Sequence, residues 1–181
     1  IVVVSGDILP FPGNPTTGAG LRAWGLAKGL ESRGHEVIMG MPRSSIGKNV
    51  NAPDRPNMFL YQPQNLTARI RSQRPEIVVL QHWRLADMLP ETLEIPLVID
   101  FHGPLLLEVL FQEHPALNHL KYEKIEALHK ADFFTCAGEK QRLYFEAWLL
   151  MAGVDIRENV IQSVPVSLSP DLPGHESQGE L

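Results

Sequence analysis

Four apolar residues in a row, Ile77-Val78-Val79-Leu80, run directly into Gln81-His82-Trp83-Arg84. A strand with one face in water alternates apolar and polar side chains. This one does not, so both of its faces are covered, as in a parallel sheet. Its polar residues begin where the apolar run stops, which puts chemistry at the carboxyl end of a buried strand.

Working outward in both directions, the same pattern recurs. Short β-branched or aromatic runs predict further strands at Ile1–Ser5, Glu36–Met41, Met58–Tyr61, Leu97–Phe101, Asp132–Cys136 and Val160–Gln162. Between them, 3.6-residue periodicity predicts helices at Ala19–Arg33, Leu66–Gln73, Ala86–Thr92, Leu105–Glu113, Ala116–Lys130 and Glu139–Met151. Parallel strands joined through helices require right-handed crossovers. The expected fold is a doubly wound, mostly parallel, Rossmann-like α/β three-layer sandwich. Gly34 follows Arg33 where a helix C′ glycine belongs. In the helix from Ala116, the residues Leu117, Leu120, Ile125 and Leu128 recur at helical spacing, and Lys121, Lys124 and Glu126 are expected to face away. The connections Gly6–Thr17 and Pro42–Asn57 are long for a compact domain and read as functional or mobile loops.

Of the 181 residues, 44% are hydrophobic and 20% charged, enough apolar surface for one real core. Residues 1–166 read as that domain. Residues 167–181 hold Pro, Gly and Ser with Asp171, Glu176 and Glu180 and no Lys or Arg, and read as a linker or tail. The net charge of −5 opposes nonspecific nucleic-acid binding, which needs a positive field. A single cysteine, Cys136, excludes an internal disulfide and a Cys-rich zinc site, and suits a reducing, cytoplasmic compartment. No H-E-x-x-H, G-x-S-x-G or P-loop pattern occurs, so no metal site is expected. No run approaches the roughly 18 apolar residues of a membrane span, and Ile1-Val2-Val3-Val4 is too short for a signal segment. The absence of an initial Met and the polar end suggest a fragment.

Ligands of open parallel sheets bind outside the carboxyl ends of the strands. The residues expected there are Gly6-Asp7 with the turn Gly18-Ala19-Gly20, then His82-Trp83, Asp100-Phe101-His102-Gly103 and Gly138-Glu139. Glycines opening a helix expose N–H groups that suit phosphates or sugar hydroxyls. Asp100 and His102, two residues apart at a strand end, share a face, and a carboxylate there can fix an imidazole tautomer. Trp83 offers a ring on which a sugar can stack, or else core packing. Glu139 opens a helix, a favourable place for a carboxylate on structural grounds alone. His35 begins a strand and belongs on the opposite edge. Gly18–Ala23 also matches G-x-G-x-x-A, and Arg43 could hold a 2′-phosphate, so an NADP-dependent oxidoreductase domain is one alternative. Against it, a dozen residues separate Ser5 from Gly18, and no acid ends the second strand. A non-catalytic α/β binding module is another.

Taken together, the Gly18-Ala19-Gly20 turn, Ser32-Arg33-Gly34-His35-Glu36-Val37, Asp100-Phe101-His102-Gly103 and Ala131-Asp132-Phe133-Phe134 give the chain a likeness to a known family. It resembles the N-terminal half of retaining GT-B glycosyltransferases of the group 1, or family 4, type. The resemblance implies the acceptor-side domain of a two-domain enzyme that takes a sugar from a nucleotide-sugar, with retention and without a metal or cofactor. The donor would be held mainly by a C-terminal half outside this chain, so the isolated fragment is expected to be inactive. By position, His102 matches the family's histidine near the transferred sugar, and Gly18 and Gly20 match its phosphate-side glycine loop. The family often touches membranes weakly; here only Arg69, Arg71 and Arg74 form a small basic cluster. Two departures stand out: Ser163-Val164-Pro165-Val166 replaces the family's Gly-Val ending, and Gly138 replaces its usual serine.

Overall fold

The computed structural model describes residues 1–10, 16–46, 56–113, 115–166 and 172. Seven strands form one sheet, paired in parallel throughout, in the order β3-β2-β1-β4-β5-β6-β7. They are β1 (Val2–Ser5), β2 (Ile38–Pro42), β3 (Met58–Tyr61), β4 (Val78–Gln81), β5 (Leu97–Phe101), β6 (Phe133–Cys136) and β7 (Ile161–Ser163). The helices are α1 (Gly18–Glu31), α2 (Leu66–Ser72), α3 (Leu105–Phe111), α4 (Leu117–His129) and α5 (Glu139–Met151). The expected α/β sandwich is therefore present.

The order of strands dictates which face each helix takes. From β1 to β3 the sheet grows in one direction, and α1 packs on one face, where Ala23, Trp24 and Ala27 meet Val3, Val37 and Met39. From β4 onward it grows the other way. Right-handed crossovers then place α2 to α5 on the opposite face, where Leu66, Ile70, Leu128 and Phe145 meet Val4, Leu80, Ile99 and Phe134. Side chains alternate accordingly along each strand, so Val78 and Leu80 serve the larger core while Val79 packs against the smaller one.

Two expectations change. The stretch read as a helix over Ala86–Thr92 is a 3-10 run over Trp83–Met88. Lys124, expected to face away from the core, is 1% exposed. The loop reading for Gly6–Thr17 holds in part: Leu9 is fully buried, and its N–H is directed at the Met41 sulfur at 3.3 Å. Residues 11–15 and 47–55, His114, and the tail apart from Leu172 lie outside the described residues, so the mobility expected of both loops and the linker reading of 167–181 rest on sequence. Cys136 is buried, as expected of a core thiol.

Candidate functional site

The chain reverses its direction of sheet growth between β1 and β4, and a switch point of this kind leaves a crevice at the carboxyl edge. A cleft of about 850 Å³ opens there. Gly6 after β1, His82 after β4 and Leu105 beyond β5 line it, with Gln64, Arg84 and Asp87 adding polar groups. His35 lies at the other edge, in a separate polar hollow with Ile1 and Glu36, as anticipated.

His82 is the most constrained residue of this edge. Its backbone sits at φ 154° and ψ 140°, a region that favours glycine and is strained for a side chain by about 1–3 kcal/mol. Two contacts hold it. Its Nδ1 accepts the Arg84 N–H at 3.1 Å, capping the 3-10 run, and its ring stacks on Trp83 at 5.3 Å. Because Nδ1 is an acceptor, the neutral ring carries its proton on Nε2. Burial, reinforced by the charges of His102, Arg84 and Lys124, holds this imidazole down to about 3, so it is neutral at physiological pH. His82 and His102 stand just beyond the ends of the adjacent, paired strands β4 and β5. His102 itself is exposed, immediately beyond the end of β5.

Trp83 is 1% exposed and belongs to the core. No face of its indole is open to a sugar, which corrects the expectation of a stacking platform; its ring supports His82 from behind. Asp100 likewise differs from expectation. It makes no bond to His102. Its carboxylate is fully buried and is gripped by Arg22, through Nε at 3.0 Å and a terminal nitrogen at 2.8 Å, and by the Thr135 hydroxyl at 2.6 Å. Arg22 also donates to the carbonyls of Val164 and Pro165 at 2.7 and 3.1 Å. This network clamps α1 across β5, β6 and the segment after β7. Removing one member of such a buried pair destabilises by about 3–5 kcal/mol. Asp100 is thus tied to α1, the helix that the glycine turn opens, and its carboxylate is not exposed.

Within that turn the two glycines differ. Thr17 caps α1, its hydroxyl accepting the Gly20 N–H at 3.2 Å. A Cβ on Gly20 would fall 1.8 Å from the Ile8 carbonyl oxygen, so the loop after β1 presses directly on the helix there. At Gly18 nothing lies within 4 Å of that position. Gly18 and Ala19, with N–H groups at the first turn, are the part of the motif open to a ligand. Gly103 separates His102 from Pro104 and is partly buried. Glu139 is exposed and bonds Arg142 at 2.7 Å within α5.

Two participants were not singled out from sequence. Arg22 sits among the buried residues of α1 beside Ala23, and a cation on an apolar stripe is a signal in itself. Gln81 is 1% exposed, and neither end of its amide finds a partner among the described residues. It occupies the last position of a buried strand, paired in register with Ser5. No group of His, Cys, Asp and Glu among the described residues could hold a metal ion. No protein-family model matches the chain, and no curated protein matches it.

Proposed function

We propose that this chain is the acceptor-side domain of a retaining glycosyltransferase, working with a second, donor-binding domain. The observation that carries the reading is His82 lining a switch-point cleft with His102 just beyond the end of the neighbouring strand β5, in the order of motifs that resembles the family. In this reading the acceptor occupies the cleft. His102 stands at the rim, where the sugar ring would arrive, and the first turn of α1 approaches phosphate or hydroxyl groups. His82, neutral and fixed, donates from Nε2 without adding charge. Catalysis would rest on donors placed where charge develops during transfer, and would need no metal. Weak peripheral membrane contact through Arg69, Arg71 and Arg74 and a cytoplasmic location belong to the same reading; among the described residues no helix is long and apolar enough to cross a membrane.

The oxidoreductase alternative leaned on the glycine pattern. The packing of Gly20 on Ile8 gives that glycine a structural reason, and 12 residues stand between Ser5 and Gly18, where a dinucleotide turn would follow the strand at once. The test is to incubate the protein containing this chain and its downstream sequence with a panel of nucleotide-sugars and hydroxylated acceptors. Expected are a glycosylated product with the donor's anomeric configuration, and no transfer by residues 1–181 alone. Reduction or oxidation of a nicotinamide cofactor, or the absence of any transfer across the panel, would favour the alternatives.

A further inference from the structure

Lys124 stands midway along α4 and is 1% exposed. Its ammonium nitrogen faces four aromatic rings: Trp148 at 4.3 Å, Phe145 at 4.7 Å, Tyr144 at 5.1 Å and Phe101 at 5.7 Å. No ion pair among the described residues includes it. The charged and titratable groups of the surrounding elements are otherwise engaged or exposed. On α5, Arg142 is bonded to Glu139 and Glu146, and Tyr144 is part of the cage. On α4, Glu123 pairs with His119 and Lys121 donates to Asn118. The 3-10 run carries exposed Arg84 and Asp87, α3 carries exposed Glu108, and His82 and His102 stand at the strand ends. Asp100, next to Phe101 in the chain, is committed to Arg22 on the opposite face of the sheet.

Taking an ammonium out of water costs several kcal/mol, and the four ring faces, at about 0.5–2 kcal/mol each, offset part of it. Without a carboxylate, the rest is relieved by losing the proton. We propose that Lys124 is a titrating core group whose loss of a proton stabilises the packing of α4 against α5 and β5 as the solution becomes more alkaline. Burial pulls its amine down to about 7, against about 10.4 in an unfolded chain. Between those values the unfolded chain binds a proton that the folded one does not, so folding becomes more favourable with rising pH. The linkage amounts to roughly tenfold in the unfolding constant per pH unit. Below about 7 both states are protonated and the penalty is constant. The helix that carries Lys124 also holds the 3-10 run, where Lys130 donates to the Ala86 and Leu89 carbonyls at 3.3 and 3.2 Å. The effect does not depend on the glycosyltransferase reading.

The test is an NMR titration of ¹³Cε-labelled lysines in the wild-type chain, with urea unfolding of wild type and Lys124→Met at about pH 7 to 9.5. One lysine resonance, missing from Lys124→Met, should titrate roughly three units below the others. The wild-type unfolding constant, taken relative to that of Lys124→Met, should fall about tenfold per pH unit. A Lys124 midpoint with the other lysines, or parallel stability curves for the two proteins, would overturn the proposal. If Lys124→Met does not fold, a Lys124→Arg spectrum assigns the resonance and the titration decides alone.

Discussion

The two glycines of the α1 turn look equivalent in a motif and differ completely in space. Gly20 has a carbonyl oxygen where a methyl group would go, whereas Gly18 faces open space. Gly20→Ala must push the Ile8 segment away from α1 and should destabilise by about 1–3 kcal/mol, the usual range for overpacking. Gly18→Ala should stay within about 0.5 kcal/mol of wild type, as exposed substitutions do. Urea denaturation of both variants checks the contrast. Equal losses would mean that the loop after β1 does not press on the helix. Asp100 carries the same lesson. Its place at a strand end, two residues before a histidine, suggests a catalytic pair, but its partner is Arg22, 78 residues away in sequence. Pairings over such distances follow from topology and not from local spacing.

Among the elements, the strands and the longer helices were legible because their signals are local and repeated. Leu97–Phe101 and Glu139–Met151 have the bounds expected of them. The 3-10 run was less legible. His82 turns the chain at once by taking a glycine-like backbone conformation, and its cap bond to Arg84 starts the turn three residues before the expected helix. Nothing in the composition of Gln81–Arg84 announces this. Lys124 was misplaced because its neighbours Lys121 and Glu126 are polar. Yet it lies four residues from both Leu120 and Leu128, on the stripe that proves buried. A cation on that stripe could have been read as buried; the four rings around it could not, since three of them come from α5. The constrained histidine also yields a prediction about acid. Its folded-state value, about 3, lies below the ordinary 6.5, so the unfolded chain takes up a proton that the folded chain refuses. His82 should therefore contribute a loss of stability as pH falls from about 6.5 towards 3, and none above 6.5. Comparing wild type with His82→Gln by thermal denaturation at about pH 7.5 and 5 isolates the term: the stability gap should shift in favour of the variant at the lower pH. A gap independent of pH would mean that the imidazole protonates as freely folded as unfolded.

At the scale of the whole molecule, seven parallel strands with one reversal in the direction of sheet growth leave a crevice at the carboxyl edge, and His82, Arg84 and Asp87 line it. The sheet and its reversal could be anticipated from apolar runs and helix spacing. Which of the edge residues face the crevice could not, because that depends on side-chain packing between elements distant in sequence: Trp83 and Asp100 turn into the body, while His82 lines the crevice and His102 is exposed beyond β5. The proposed transfer depends most on His102. A donor to the sugar ring accelerates transfer only if its contact strengthens as charge and ring distortion develop. In the intact protein, transfer by His102→Ala should then show kcat lower by roughly 10²-fold or more, about 2.7 kcal/mol, with a smaller change in KM and an unchanged melting temperature. Full turnover by a folded His102→Ala protein, or a loss explained entirely by unfolding, would contradict the account.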